Sequence, residues 1–112
     1  MRIADELVAK AVQIIREQSH INLNVDAVVR QTHTNRRTLE RRFRQVLGTS
    51  ILHRIQDTKL DRAAELLRTT KLSIPEVAYH AGFNDPTAFS DLFRRRRGVP
   101  PSKYRKLSVN QT

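Results

Sequence analysis

The chain has 112 residues, 38% of them hydrophobic, with 21 lysines and arginines against 11 aspartates and glutamates and a formal net charge of +10. That length makes one typical domain or two very small ones. No run approaches the roughly 20 apolar residues of a membrane span, the N-terminus lacks the apolar segment of a secretory signal, and the absence of cysteine excludes disulfides and thiolate metal sites. The expectation is a cytoplasmic protein with a polyanionic partner, because a strongly basic surface attracts phosphate backbones over long range.

The apolar periodicity is helical almost throughout, with no strand alternation. Leu7, Ala11, Ile14 and Ile15 predict an amphipathic helix over residues 3–18. A short helix follows from Val25 to Gln31, with Asn24 as its N-cap. Asn35 caps the next, from Arg36 to Leu47, and Gly48 stops it. A longer helix starts after Ser50. Its stripe is Ile51, Ile55, Leu60, Ala63, Ala64 and Leu67, and Thr69-Thr70 ends it. Ser73-Ile-Pro-Glu76 has the form of a capping box, in which serine and glutamate side chains satisfy first-turn N–H groups. That helix runs to Ala81 and turns at Gly82. Asp85-Pro86 reads as an N-cap followed by proline at the first helical position. The sixth helix runs to Arg97 and stops at Gly98. A last short helix covers Ser102 to Lys106, and residues 107–112 read as a flexible tail.

One pattern occurs twice. Arg37-Thr-Leu-Glu-Arg-Arg-Phe43-Arg-Gln-Val-Leu-Gly48 recurs as Thr87-Ala-Phe-Ser-Asp-Leu-Phe93-Arg-Arg-Arg-Arg-Gly98. Leu39 aligns with Phe89, Phe43 with Phe93 and Gly48 with Gly98, so the apolar anchors persist while the outward residues change. Each copy follows a short helix and a tight turn, which is the helix-turn-helix arrangement. In the second copy Val77 and the small Ala78 lie on the first helix and Gly82 makes the turn. In the first copy Val28 and Val29 take that helix, and His33 stands where Gly82 would. Histidine tolerates a left-handed backbone better than a β-branched residue does.

Two such units in register are far more specific than one. The chain resembles the DNA-binding domain of the AraC/XylS family of bacterial transcription regulators. The resemblance rests on Arg37-Thr-Leu-Glu-Arg-Arg-Phe43, Lys59-Leu-Asp-Arg-Ala-Ala-Glu-Leu-Leu67, Ser73-Ile-Pro-Glu-Val-Ala78, Ala81-Gly-Phe83, Phe89-Ser-Asp-Leu-Phe93 and Gly98-Val-Pro-Pro-Ser-Lys-Tyr-Arg105. It implies an all-α fold of seven helices, forming two helix-turn-helix subdomains joined by a long linker helix. The subdomains then cover 1–48 and 71–106, with the linker at 49–70. The resemblance also implies double-stranded DNA as partner, and an RNA polymerase contact. It implies an isolated domain that is monomeric, and either a small stand-alone regulator or the reading domain of a longer protein.

At about 100° per residue, Leu39, Phe43, Val46 and Leu47 share the packing side of the third helix. Arg37, Arg41 and Arg44 project opposite, with Glu40 beside them. On the sixth helix Phe89, Leu92 and Phe93 pack, and Thr87, Asp91 and Arg94 point outward with Ser90 adjacent. The base-reading set is thus Arg36, Arg37, Glu40 and Arg41 with Thr87, Ser90 and Asp91. Arginine binds guanine O6 and N7 bidentately, a carboxylate accepts from cytosine N4, and threonine touches a thymine methyl. Glu40 has the alternative of an intrahelical pair with Arg36, Arg37 or Arg44. Asp91 must face a base, pair with Arg94 or Arg95, or exclude non-cognate sites. Arg44, Arg94, Arg95, Arg96 and Lys103 make the phosphate-holding set, with Arg105 beside it. Four consecutive residues span all faces of a helix, so at least one of Arg94 to Arg97 is a structural or solvated charge. Tyr104 is read as a packing residue.

The helix within this linker, about nineteen residues at about 1.5 Å each, is roughly 28 Å long, against ~34 Å between successive major-groove faces on one side of the duplex. That length suits two recognition helices in adjacent major-groove segments of an asymmetric bipartite site. Two rival readings remain beside this one. Catalysis lacks support, because His20, His33, His53 and His80 show no metal-ligand spacing and no phosphate cradle is present. No cofactor or metal is expected. A basic helical module binding RNA or an anionic surface is the alternative, but the exposed aromatic platforms of single-stranded RNA readers are missing.

Overall fold

The computed structural model describes residues 4–109. These form seven helices and, among the described residues, no strand. The chain divides into two compact units, one up to Thr58 and one from Lys59.

The first unit contains α1 (Glu6–Gln18), α2 (Val25–Thr32), α3 (Arg36–Leu47) and the start of α4 (Ile51–Thr69). Its core joins Val8, Ala11, Val12, Ile14 and Ile15 of α1 to Val28, Leu39, Phe43, Ile51 and Ile55. α1 begins three residues later than expected, because the Asp5 carboxylate accepts the N–H groups of Leu7 and Val8 at 3.0 and 3.1 Å and so fixes the first turn at Glu6. Ile3, the expected first residue, lies outside the described residues. Leu7 is half-buried, and Val8 takes the central place. Asn24 caps α2 through the Ala27 N–H and Asn35 caps α3 through the Thr38 N–H, both at 2.8 Å. α2 runs one residue further than expected, to the buried Thr32, whose hydroxyl donates to the Val29 carbonyl. Gln18 and Gln31 exchange reciprocal amide hydrogen bonds at 2.8 and 2.9 Å, tying α1 to α2.

The second unit contains the rest of α4, α5 (Ile74–Ala81), α6 (Pro86–Arg97) and α7 (Pro101–Val109). Leu60, Ala63, Ala64 and Leu67 of α4 pack with Val77, Ala78, Ala81, Phe89, Leu92 and Phe93. Rings then meet in series. Phe83 to Phe89, Phe89 to Phe93 and Phe93 to Tyr104 have centroids 5.0, 5.8 and 5.3 Å apart, within the favourable range for tilted aromatic pairs. At the end of α4, Thr69 and Thr70 hydroxyls bond back to the Glu65 and Leu66 carbonyls, consistent with the expected stop. The Ser73–Glu76 capping box forms in both directions at 3.2 Å. α7 extends past the expected Lys106 to Val109, and the Ser108 hydroxyl bonds to the Tyr104 carbonyl in that extra turn. Residues 107–109 of the expected tail are therefore helical, while 110–112 lie outside the described residues.

Candidate nucleic-acid interface

Each unit presents its second short helix through a turn that needs a left-handed residue. After α5, Gly82 sits at φ 103°, and the Phe83 and Gly82 N–H groups bond to the Ala78 and Tyr79 carbonyls. This double bond is the Schellman pattern. After α2, His33 holds φ 57° and its N–H reaches the Arg30 carbonyl at 3.3 Å. The histidine occupies the left-handed region that glycine takes in the other unit, which settles a turn whose geometry the sequence left open.

On α3 the outward face is cationic. Arg37, Arg41 and Arg44 are exposed, and among the described residues none has an ion pair. Glu40 is half-buried and forms no ion pair either, so the expected intrahelical alternative is not made. Two further arginines of this helix, Arg36 and Arg42, are held. Arg36 Nη1 donates to Asp26 on α2 at 3.1 Å. Arg42 Nε donates to Asp5 at 2.9 Å and ties the start of α1 to α3. The Asp5 carboxyl is held below the usual carboxylate range, first by the Val8 N–H, against the opposing effect of burial, and then by Arg42 and the Leu7 N–H. Leu39 and Phe43 are fully buried and Leu47 packs at the core's edge. Val46, expected on the packing side, is 44% exposed. Its angle on the helix is right, but the last turn of α3 leaves it uncovered.

On α6, Phe89, Leu92 and Phe93 are buried, while Thr87, Asp91, Arg94 and Arg95 are exposed and Ser90 is half-buried. Asp91 has no ion pair among the described residues, so an arginine partner is not what holds it. Arg97 is the structural charge that the four-arginine run required: its Nη2 meets Asp61 of α4 at 2.7 Å. Arg96 is half-buried and Lys103 is exposed. Arg105 departs from its expected phosphate role. Its Nε donates to the Leu67 carbonyl at 3.1 Å and its Nη2 is buried without a partner, so it stabilises the end of α4 instead. Tyr104 packs on Phe93 as expected and receives a hydrogen bond from Arg68.

Sequence reasoning missed Asp5, Asp26, Asp61 and Lys59. Lys59 is 7% exposed, lies 5.7 Å from the Phe83 ring centre, and burial pushes its ammonium below the usual lysine value. No local signal marks these residues, since their partners are 10 to 37 positions away. Among the described residues, no group of three His, Asp or Glu side chains could hold a metal ion, and no helix is long and apolar enough to cross a membrane.

Two helix-turn-helix units with exposed arginine-bearing second helices define a nucleic-acid-reading class of fold. The family described as "Helix-turn-helix domain" matches residues 28–107. The chain belongs to that family, in its AraC type. It is 38% identical over 85 residues to the HTH-type transcriptional activator RhaR of Pectobacterium atrosepticum, covering 76% of this chain and 30% of that protein. The chain thus spans under a third of the length of the first relatives it matches. The DNA-binding domain of AdpA, a global transcriptional factor solved with a target DNA, superposes with a TM-score of 0.85 at 32% identity, covering 92% of this chain and 93% of that one. The C-terminal domain of AraT, a response regulator from Geobacillus stearothermophilus, gives a TM-score of 0.91 at 30% identity over 96% and 88% of the two chains. The family is one of regulator domains, not enzymes.

Proposed function

We propose that the chain is the sequence-specific, double-stranded DNA-binding domain of a bacterial transcription regulator. Residues 1–48 and 71–106 act as two reading subdomains and 49–70 as the linker. The helices α3 and α6 each enter a major-groove segment, and the two segments form one asymmetric bipartite site. Arg36, Arg37, Glu40 and Arg41 read bases in one segment, and Thr87, Ser90 and Asp91 in the other. Arg44, Arg94, Arg95, Arg96 and Lys103 hold phosphates and set register. The full regulator acts in the cytoplasm, where its relatives' names make activation the first expectation, and an RNA polymerase contact follows from the family. The isolated domain binds as a monomer.

The observation that carries this reading is the pair of matched faces. At corresponding positions fifty residues apart, both helices bury aromatic and leucine anchors. Both leave the opposite face exposed, with Arg37, Arg41 and Arg44 on one and Arg94 and Arg95 on the other free of ion pairs among the described residues. Cationic side chains without carboxylate partners are ready to exchange counterions for phosphates. The direct test is fluorescence anisotropy with a selected duplex, its scrambled version and a single-stranded RNA of the same length. Salt-sensitive binding to the selected duplex, at least tenfold tighter than to the other two, is expected. Equal affinity for all three supports the RNA or anionic-surface alternative.

A further inference from the structure

The first unit carries an ion pair at the mouth of its recognition helix that the sequence denies to the second. Arg36 is the first residue of α3, and its Nη1 donates to Oδ1 of Asp26 at 3.1 Å. Asp26 is the second residue of α2. The corresponding second residue of α5 is Pro75, and the first residue of α6 is Pro86. Both members of the pair are thus proline in the other copy, where neither charge nor side-chain donor is available. The helix-turn-helix arrangement does not need this pair, because α5 and α6 form it without one, through a turn one residue longer.

The pair is a poor stability device. The side chains are 60% and 67% exposed, and ion pairs so open to water and salt add little. What it does is fix a direction. Guanidinium is a planar fork of five donors, and Asp26 engages one nitrogen of it. Among the described residues Arg36 makes no other hydrogen bond, which leaves the edge formed by Nε and Nη2 open. Guanine O6 and N7 accept bidentately from such an edge.

The geometry points to Asp26 as a positioning residue for base reading: it anchors Arg36 by Nη1 and presents the rest of the fork to a guanine. This rests on the DNA reading above. Asp26 touches no base itself. Its carboxylate repels the phosphates of every sequence, so it lowers non-specific affinity everywhere and is offset only where the anchored arginine meets guanine. Specificity then comes from a repulsive element as well as an attractive one.

The test compares wild type, Asp26→Ala, Asp26→Asn, Arg36→Ala and the double variant with both alanines. Binding is measured to a selected duplex, to its single-base variants and to a scrambled duplex, and thermal melting checks that each protein folds. Arg36→Ala is expected to flatten the preference at one guanine by roughly five- to tenfold. Asp26→Ala is expected to flatten the same position several-fold while binding the scrambled duplex more tightly. Asp26→Asn keeps an acceptor and is expected to retain most of that preference, also with tighter scrambled binding. In the double variant, losing Asp26 adds no further flattening. An unchanged base preference in Asp26→Ala, or a change at a different base from that of Arg36→Ala, overturns the proposal. So does an Arg36→Ala protein with intact preference at every position. A wild-type protein without any sequence preference instead overturns the DNA reading.

Discussion

Among the five arginines between residues 36 and 44, Arg36 and Arg42 each meet a carboxylate, while Arg37, Arg41 and Arg44 have no ion pair among the described residues. Arg42 is bound to Asp5, whose carboxylate also caps α1, so its task is to hold the unit together. Arg41 is one position away, exposed, and has no ion pair among the described residues. Replacing Arg41 with alanine should weaken binding to the selected duplex by about 1–3 kcal/mol and relax preference at one base position. Equal weakening for all sequences would reduce Arg41 to a phosphate clamp. Arg95 lies in the last turn of α6, where the chain offers positive charge without a base-facing pattern. Its alanine variant should weaken all duplexes alike and lower the slope of log affinity against log salt by about 0.9. A changed base preference in that variant contradicts the phosphate assignment.

The helices are bounded by a small set of local devices, and these were the most legible part of the chain. Asn24, Asn35, Ser73 and Asp85 each sit immediately before a helix and accept its first free N–H groups, an arrangement fixed by neighbours two or three residues away. Two C-terminal turns allow a paired test. His33 holds a left-handed backbone that costs a side-chain-bearing residue about 1–2 kcal/mol. Replacing it with glycine should stabilise the first unit by about 0.5–1 kcal/mol after the added freedom of the unfolded chain is subtracted. A Cβ at Gly48 would meet nothing within 4 Å, so Gly48→Ala isolates the backbone cost at φ 73° and should lower the melting temperature by a few degrees. A loss of stability in His33→Gly would mean that the imidazole makes a contact of its own. Two caps also contribute to the acid response. The Asp5 carboxyl is lowered chiefly by the Val8 N–H, and Glu76 chiefly by the Ser73 hydrogen bonds. Their folded values lie below their unfolded ones, so the stability they give is complete above the unfolded range near ~4 and is lost as pH falls through the folded values. The melting temperature should be steady from pH 7 to about 5 and fall below about 4, and a protein with Asp5→Asn and Glu76→Gln should show a shallower fall. An unaltered acid profile in that variant contradicts the assignment. What the sequence hid has one physical cause. Periodicity finds which residues face inward, but it carries no information on which distant charge a surface side chain meets. Arg36 reads as a base-facing cation and Arg105 as a phosphate candidate, yet Arg36 meets a carboxylate 10 residues away and Arg105 a carbonyl 38 residues away; Arg42 and Arg97 meet carboxylates 37 and 36 residues away that nothing local marks. Val46 shows the complementary limit, since its angle is correct and its cover is missing.

At the scale of the molecule, a net charge of +10 is carried on two units that share one plan and differ in chemistry. The first offers arginines along the outward face of α3. The second offers threonine, serine and aspartate in the first half of α6 and concentrates its arginines at the end. On the reading proposed here the two faces, unlike in chemistry, favour different base patterns, so a duplex bound by both is expected to carry two unlike blocks. We propose that this asymmetry is what the chain recognises in DNA. The measurement that tests it is selection of bound sites from random duplexes, run in parallel with wild type, Arg41→Ala and Asp91→Ala. Wild type should enrich two separated and dissimilar blocks, Arg41→Ala should lose preference within one block only, and Asp91→Ala within the other only. A single enriched block, a palindrome, or loss in one block from both variants would contradict the account.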